Sequence, residues 1–252
     1  MSTSNQESEL LLIDISNSRT KIAGASGDAL SDQRANLPTP DLSAEALAQI
    51  PWTRGASRIV LASVVPEKTK LLEQAFGDRL LTVSHEVELG VQIDYPEPHT
   101  IGADRLANAA AVAALHGAPG VVVDFGTAVT FDIISSGGAY VGGVIAPGLE
   151  VMTDYMYQRT ALLPKIDLLE PTEIIGKSTK SAMMAGAVHG YRGMIKEILT
   201  EIYEEFGESA DQHAKTIATG GYAELISDKI DQIDIVDPEF TLQGLRIIGS
   251  LN

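Results

Sequence analysis

The sequence predicts an α/β fold built from two duplicated lobes. β-Branched apolar runs, typical of buried strands, alternate along the chain with segments whose apolar residues recur at helical spacing. A strand that ends in an aspartate, followed by small polar residues and a second strand, occurs at Asp14 and returns at Asp124. This recurrence at about half the chain length indicates a duplicated unit. We expect lobes in residues 1–117 and 118–252 with a cleft between them, the last helix being free to pack back on the first lobe.

The composition narrows the class of protein and its location. Hydrophobic residues make up 44% of the 252 residues, enough for a sizeable core. The formal net charge of -16 disfavours binding to nucleic acid or to an anionic membrane surface. Because cysteine is absent, disulfides, thiolate zinc sites and cysteine nucleophiles are excluded. The polar first nine residues are unlike a signal peptide and no apolar stretch approaches the roughly 18 residues of a membrane span, so we expect a cytoplasmic protein.

Local signals predict the elements of the first half. Apolar, β-branched runs indicate strands at 10–15, 20–25, 58–65 and 80–84. Pro66 opens a helix with apolar residues at helical spacing. The acidic segment that follows the fourth strand contains two prolines and predicts a loop. An Ala- and Leu-rich helix is predicted from Ala103 until Gly117 and Pro119 stop it.

The second half repeats the opening pattern and then becomes helical. GVVVDFGTAVTFDII predicts a strand, a turn and a second strand, and AYVGGVIAPGLEVM predicts a third strand and a turn. The longest helix is expected in residues 180–206. TIATGG and DIVDP predict the last strands, and TLQGLRIIGS a terminal helix.

The first hairpin turn suits either a plain turn or a phosphate site. Its polar residues are Asp14, Ser16, Asn17 and Ser18, and Asn and Ser favour hairpin turns on their own account. The same groups can also bind a phosphate. A second hairpin of the same kind strengthens that reading, because two such hairpins facing one cleft would suit a nucleotide.

The second hairpin, DFGTAVT, carries more specific chemistry. Gly126 permits close approach of the backbone to a ligand. Thr127 and Thr130 offer hydroxyls, and Asp124 is a hard oxygen ligand or an anchor for a cation. The alternative is a tight β-turn whose threonines face solvent.

A third candidate site lies in GADR, at the start of the Ala-rich helix. Asp104 could serve only as a cap, since acidic residues in the first turn bind free amides and meet the positive end of the helix dipole. Arg105 beside it is suited to a carboxylate through two parallel hydrogen bonds. The pair could therefore orient a substrate hydroxyl and bind a substrate acid, and spacing alone leaves both possibilities open.

Other motifs are weaker or are rejected. IGKSTKS lacks the glycine of a phosphate loop, because Pro171 stands where that glycine is needed and no strand precedes it. The turns GGVIAPGL and TGG suit a nearby ligand and plain turns equally well. No serine has a G-x-S-x-G setting. The histidines lack metalloprotease spacing and are expected at the surface or in packing: His85, His99, His116, His189 and His213.

Taken together, these motifs resemble the type III pantothenate kinases of the acetate and sugar kinase, Hsp70 and actin superfamily. The match runs along nearly the whole chain through DISNSRTK, DYPEPHTIGADR, DFGTAVTFD, GGVIAPGL, IGKSTKSAMMAGAVHG, TGG and TLQGLRII. The resemblance implies two ribonuclease H-like lobes and phosphoryl transfer from ATP to pantothenate, the first step of coenzyme A synthesis. It also implies a homodimer in which both subunits line the pantothenate pocket.

The resemblance further implies the roles of individual residues. Asp104 would be the catalytic base, and Asp124 would bind a monovalent cation, K⁺ or NH₄⁺. Thr127 would contact the phosphates of ATP, which would bring Mg²⁺ with it. The pantothenate pocket would be formed by Tyr95, Gly102, Ala103, Asp104, Arg105 and Thr179. The residues implied for ATP in the first hairpin are Asp14, Ile15, Ser16, Asn17, Ser18, Arg19, Thr20 and Lys21.

The first hairpin departs from the family pattern, which usually runs Asp-x-Gly-Asn-Thr. Ser16 and Ser18 stand here in place of the glycine and the threonine. A Cβ at position 16 hinders close approach of the backbone to phosphate, although the two hydroxyls can donate to it. We therefore expect ATP binding to be retained but weakened.

Two alternatives remain. A non-catalytic regulator could have arisen through the altered hairpin, but the intact GADR and DFGTAVT motifs and the net charge of -16 argue against it. A phosphotransferase of the same superfamily acting on another small acid is the second, since only the resemblance speaks for pantothenate.

Overall fold

A computed structural model describes residues 9–206 and 214–252. His213 and the first eight residues, on which two of the sequence predictions fall, lie outside this part. The strands are β1 (Leu10–Ile15), β2 (Arg19–Ala25), β3 (Leu30–Pro38), β4 (Arg58–Ser63), β5 (Leu80–Thr82), β6 (Gln92–Ile93), β7 (Gly120–Phe125), β8 (Ala128–Ile134), β9 (Ala139–Pro147), β10 (Lys215–Gly220) and β11 (Ile235–Val236). The helices are α1 (Ala44–Ala48), α2 (Pro66–Phe76), α3 (Ala103–Leu115), α4 (Leu149–Arg159), α5 (Thr179–Phe206), α6 (Ala223–Ser227) and α7 (Phe240–Leu251).

The chain divides into two units, each with its own sheet. Among the described residues, the first contains 9–117 together with Glu239–Asn252, and the second contains 118–206 and 214–238. Four short 3-10 turns lie in the first unit, at Thr39–Asp41, Pro51–Gly55, Gly77–Arg79 and Pro98–Thr100. No helix in the described ranges has the length and apolar character that crossing a bilayer requires.

The first unit is built on a sheet with the strand order β3-β2-β1-β4-β5. β1 is antiparallel to β2 and parallel to β4, and its six residues are buried on both faces. Leu11, Ile13 and Ile15 point to a core that also contains Leu72 of α2. Leu10, on the other face of the sheet, lies against Gly249 of α7. The continuous apolar run of β1 is thus explained by helices on both sides of the sheet.

The second unit repeats this arrangement around β7. β7 is antiparallel to β8 and parallel to β10, as β1 is to β2 and β4, and β9 and β11 extend the sheet on either side. Val188, Tyr191 and Ile195 recur at helical spacing on the buried face of α5 and pack against the core of this sheet. The duplicated α/β design predicted from the two aspartate hairpins is confirmed.

Several boundaries differ from those predicted. The strand predicted for 58–65 ends at Ser63, and the one predicted for 80–84 ends at Thr82. β3 was not predicted, because it is an edge strand whose polar side chains are partly exposed and give no apolar period. α1 has only five residues, too few for a periodic signal. The segment predicted as a loop contains the two-residue strand β6 and a 3-10 turn.

A close helix contact in the first unit joins α3 and α7. A Cβ built on Gly244 would overlap the carbonyl oxygen of Ala107, so the two helix backbones touch without intervening side chains. Next to this contact, the buried Thr241 hydroxyl donates to Asn108 Oδ1 over 3.0 Å. Asn252 closes the end of α7 by donating to the Glu88 carbonyl over 2.9 Å. The last helix is therefore fixed to the first unit along its length.

Replacing Gly244 with alanine should force α7 away from α3. We expect the free energy of unfolding to fall by about 1–3 kcal/mol, as for other overpacked contacts. Equilibrium denaturation would measure it, with Gly193→Ala in α5 as the matched control. A Cβ on Gly193 meets nothing within 4 Å, so alanine there should stabilise the helix by up to about 1 kcal/mol. Equal effects of the two substitutions would contradict this description of the contact.

Candidate functional site

The first hairpin presents a short polar tip. The Ser16 N–H donates to the Arg19 carbonyl over 3.0 Å and closes the turn. The side chains of Asn17, Ser18 and Arg19 are exposed, and Ser16 is half-buried. Asp14 is 5% exposed at the end of β1. The predicted polar residues therefore lie together at the end of the strand, with Asp14 buried at the base of an exposed tip.

Three other residues predicted for this hairpin lie behind the tip. Ile15 is 1% exposed in the core, and its carbonyl accepts from the Val64 N–H over 3.0 Å. Thr20 is fully buried, and its hydroxyl lies 3.1 Å from that of Thr39. Lys21 is half-buried and lies opposite Asp14 in the β1–β2 ladder. The side chains of Ile15 and Thr20 thus support the turn from inside, and any part they have in ligand binding is indirect.

Thr39 is a residue of this region that the sequence analysis missed. It begins a 3-10 turn after β3 and is 3% exposed. Its hydroxyl donates to the Ser16 carbonyl over 2.7 Å, and its N–H donates to the Ser18 carbonyl over 3.1 Å. A hydroxyl that donates to a backbone carbonyl 23 residues away leaves no residue-type pattern, so no motif could have revealed it.

The second hairpin is held by close backbone contacts. The Gly126 N–H donates to the Ala128 carbonyl over 3.1 Å, and the Gly148 N–H donates to the Thr127 carbonyl over 3.0 Å. A Cβ on Gly148 would overlap both the Gly126 and the Thr127 carbonyl oxygens. The GGVIAPGL turn therefore packs directly on the DFGT turn, and Thr127 remains exposed at its tip.

The Asp124 carboxylate lies in a space that a glycine leaves open. Gly220, at the end of β10, has φ +92, and a Cβ there would be 2.5 Å from Asp124 Oδ1. The next residue, Gly221, donates its N–H to the Phe125 carbonyl over 3.1 Å. Asp124 is half-buried. The TGG and DFG motifs thus form one cluster, which sequence spacing could not show.

Asp104 lies in the first turn of α3 with its carboxylate folded back over Gly102. Its Oδ1 accepts from the Arg105 N–H over 2.9 Å. A Cβ on Gly102 would overlap this same Oδ1, although the φ of -60 and ψ of 142 at Gly102 suit any residue. Glycine is therefore required here to leave space for the carboxylate and not for backbone freedom.

Burial raises the pKa of the Asp104 carboxyl above its ordinary value. The Arg105 N–H and the charge of the Arg105 side chain act in the opposite direction but do not offset the effect. A carboxyl with a raised pKa binds a proton more readily than an ordinary aspartate does. Asp104 thus has the property of a proton acceptor, in addition to being able to cap its helix.

A cavity of about 630 Å³ borders the turn that precedes Asp104. It is lined by the end of β4, the first turns of α2, the residues after β5 and the segment that ends in Gly102 and Ala103. His85 and His99 meet edge to face in its wall, with ring centroids 6.5 Å apart. These histidines were expected to be surface or packing residues, and their separation in the sequence hid their proximity. The volume is of the size typical of sites for small molecules.

The remaining predicted pocket residues lie apart in the chain. Tyr95 is half-buried in the segment before α3, and Arg105 is half-buried in the first turn of that helix. Thr179 is the exposed first residue of α5 and belongs to the second unit. Ser178 and Ser181 cap α5 reciprocally, each accepting the backbone N–H of the other over 3.0 and 3.2 Å. This capping box gives IGKSTKS a structural role and agrees with the rejection of a phosphate loop.

Similar solved structures define the class of fold. The chain is similar to a Baf family transcriptional activator from Campylobacter jejuni, with a TM-score of 0.59, 22% identity and coverage of 94% of this chain and 96% of that one. It is also similar to a 2-dehydro-3-deoxygalactonokinase protein from Sinorhizobium meliloti, with a TM-score of 0.55, 11% identity and coverage of 95% and 98%. At these identities the likeness concerns the fold alone. It is the α/β fold of two sheet-bearing units described above, which this chain shares with both solved proteins.

Sequence similarity identifies the family within that class. The family model described as type III pantothenate kinase matches residues 10–201. A type III pantothenate kinase from Akkermansia muciniphila is 49% identical over 242 residues, which cover 96% of this chain and 98% of the relative. The chain belongs to the type III pantothenate kinase family. The resemblance inferred from the motifs is confirmed.

Replacing Gly102 with alanine should displace the Asp104 carboxylate. Because the backbone at this position accepts alanine, stability should change little, while kinase turnover should fall roughly a hundred-fold. Steady-state kinetics together with thermal unfolding would measure both. Gly27→Ala in the same unit is the control, since its Cβ would meet nothing within 4 Å. Wild-type turnover in Gly102→Ala would show that the position of this carboxylate is unimportant.

Proposed function

We propose that this chain catalyses the ATP-dependent phosphorylation of pantothenate to 4'-phosphopantothenate, the first step of coenzyme A biosynthesis. The observation that carries the proposal is the family match over residues 10–201. A relative of that name, 49% identical over 96% of this chain, supports it. The regulatory alternative gains no support, because the transcriptional activator is 22% identical and that likeness concerns the fold alone. No finding favours a different small acid as the substrate.

Asp104 is the catalytic base of the proposed reaction. In phosphoryl transfer the transition state is loose, so the main tasks are alignment of the two substrates and neutralisation of charge. A carboxylate that orients the primary hydroxyl and accepts its proton late is sufficient. The raised pKa of Asp104 supports this role, because its ionised carboxylate binds a proton more tightly than that of an ordinary aspartate does.

The acceptor occupies the neighbourhood of Gly102 and Ala103. The open cavity of about 630 Å³ beside these residues supports this position, since its volume lies in the range of small-molecule sites. Arg105 binds the carboxylate or the amide of the substrate and Tyr95 contacts it, both from outside the lining of this cavity. Arginine suits a carboxylate because its planar donors can form two parallel hydrogen bonds.

The nucleotide phosphates bind to the first hairpin, at its exposed tip beside Asp14 and Lys21. Thr127, at the exposed tip of the second hairpin, is a further phosphate contact that the family resemblance implies. Mg²⁺ accompanies ATP and neutralises phosphate charge, held mainly by phosphates and water. Ser16 keeps a Cβ where the family usually has none, so ATP binding is weaker than in relatives with glycine. The reaction takes place in the cytoplasm, where ATP is available.

A monovalent cation, K⁺ or NH₄⁺, binds at Asp124. Hard cations prefer oxygen ligands, and the half-buried carboxylate of Asp124 lies among the backbone groups of the DFG and TGG turns. The lack of a Cβ at Gly220 keeps Oδ1 in this position. When bound, the cation supplies positive charge near the nucleotide phosphates.

The active form is a homodimer. The second unit exposes large apolar side chains on β9, on α4 and in the segment between α4 and α5, among them Ile145, Tyr155 and, at 90% exposure, Leu162. Large exposed apolar side chains grouped in one part of the chain favour an interface between subunits. Thr179 lies at the end of that segment, so the interface brings it to the pantothenate pocket of the partner.

The proposal predicts pantothenate-dependent release of ADP, which a coupled assay measures. Turnover should require K⁺ or NH₄⁺. It should be lost as the pH falls through the raised pKa of Asp104, because the protonated carboxyl cannot accept the hydroxyl proton. The acid limb of the profile should thus lie above about 3.9, the value of an ordinary aspartate.

The matched control is the pH dependence of thermal unfolding, which separates loss of chemistry from loss of fold. Turnover that disappears only when the protein unfolds would remove the support for a titrating base. ATP hydrolysis without any phosphorylated pantothenate would contradict the proposed acceptor.

A shared pocket predicts complementation between two inactive variants. Asp104→Asn removes the base and Thr179→Ala the residue contributed by the partner. In a mixed dimer one of the two pockets keeps both residues, so mixing the variants should restore up to roughly a quarter of wild-type turnover under random assembly. Tyr155→Asp, which places a charge on the apolar face, should give monomers in size-exclusion chromatography with light scattering. Full activity of a monomeric Tyr155→Asp would exclude a shared pocket.

A further inference from the structure

Thr39 connects the first hairpin to a rigid part of the first unit. Its own carbonyl accepts from the Leu42 N–H over 3.2 Å, and Leu42 is 1% exposed in the core. Lys68 of α2 donates to the Pro40 and Leu42 carbonyls over 2.8 and 2.7 Å. The 3-10 turn that carries Thr39 is therefore fixed by the core on one side and by a helix on the other.

The two hydroxyl groups behind the hairpin form a series of hydrogen bonds with one defined donor direction. Because the single proton of the Thr39 hydroxyl goes to the Ser16 carbonyl, the Thr20 hydroxyl must donate to Thr39. Both threonines are buried, at 0% and 3% exposure. Leaving the half-buried Ser16 carbonyl without its donor is unfavourable, so the two hydroxyls strongly prefer this one arrangement.

The orientation of these carbonyls decides the orientation of the neighbouring amides. In a planar trans peptide the C=O and the N–H of the next residue point in opposite directions, and the peptide bonds of this turn are trans. Holding the Ser16 carbonyl toward Thr39 therefore turns the Asn17 N–H away from Thr39. The hydrogen bond from the Thr39 N–H to the Ser18 carbonyl likewise turns the Arg19 N–H away from Thr39. Backbone amides directed from a turn are common phosphate ligands.

We propose that Thr39 is a positioning residue for ATP, which it affects by orienting the backbone amides of the first hairpin without touching the nucleotide. This inference rests on the proposed function, since it requires the hairpin to bind phosphate. It assigns to Thr20 the part of a donor to Thr39 instead of that of a direct ligand.

The test is a comparison of Thr39→Val, Thr39→Ser and Thr53→Val. Valine removes the hydroxyl at nearly constant volume and leaves the Thr39 N–H in place, so the chain should still fold. We expect the KM for ATP to rise roughly ten-fold, in line with one lost hydrogen bond, while the KM for pantothenate stays unchanged. Thr39→Ser restores the hydroxyl and should restore the KM for ATP.

Thr53→Val is the matched control. The Thr53 hydroxyl also donates to backbone carbonyls, those of Leu47 and Ile50 over 2.8 and 2.9 Å, but away from the hairpin. Thr53→Val should lower the unfolding temperature without changing the KM for ATP. Thr20→Val should have a smaller effect than Thr39→Val, and the double variant should be no worse than Thr39→Val, because both act through one bond to Ser16.

An unchanged KM for ATP in Thr39→Val would overturn the inference, as would an equal rise in Thr53→Val or a failure of serine to restore the wild-type value. If the wild type shows no pantothenate-dependent release of ADP, the proposed function fails independently. Calorimetric titration with ATP would then decide the inference alone: a weaker affinity in Thr39→Val than in Thr53→Val supports it, and equal affinities reject it.

Discussion

The contact between the backbones of α3 and α7 is the constraint on which the first unit depends. Gly244 allows α7 to touch α3 at Ala107, and α7 in turn packs on the central strands through Gly249, whose missing Cβ leaves space for Val60. The position of α3 relative to the sheet is thus set by backbone contacts, which tolerate little displacement. Because Asp104 lies in the first turn of α3, the position of the proposed base follows from this packing.

Asp104 combines a structural and a chemical role. Its carboxylate accepts the Arg105 N–H, as a capping residue does, yet burial raises its pKa and so disfavours the ionised form. A residue selected only as a cap would gain from exposure, where the charge is stabilised by water and by the helix dipole. The combination is typical of a functional carboxylate that is oriented by its helix while it remains able to accept a proton.

The sequence was sufficient for those parts of the structure that depend on local pattern. β1 and β4 were predicted because they are buried on both faces, and the two aspartate hairpins were predicted because each combines a strand end with small residues. β3 was missed, since an edge strand needs no apolar period. Thr39 and the pair of His85 and His99 were missed because their contacts join distant segments, through backbone groups or ring edges that leave no residue pattern.

The most direct measurement is the affinity of Asp104→Asn for pantothenate, by calorimetric titration in the presence of a non-hydrolysable ATP analogue, with turnover measured in parallel. Asparagine keeps the shape of the side chain and can still accept the Arg105 N–H. If Asp104 is the base, pantothenate should bind with nearly wild-type affinity while turnover is lost. Wild-type turnover in Asp104→Asn would contradict the assignment of Asp104 as the base. Loss of pantothenate binding together with loss of the fold would also contradict it, because Asp104 would then serve only to cap its helix.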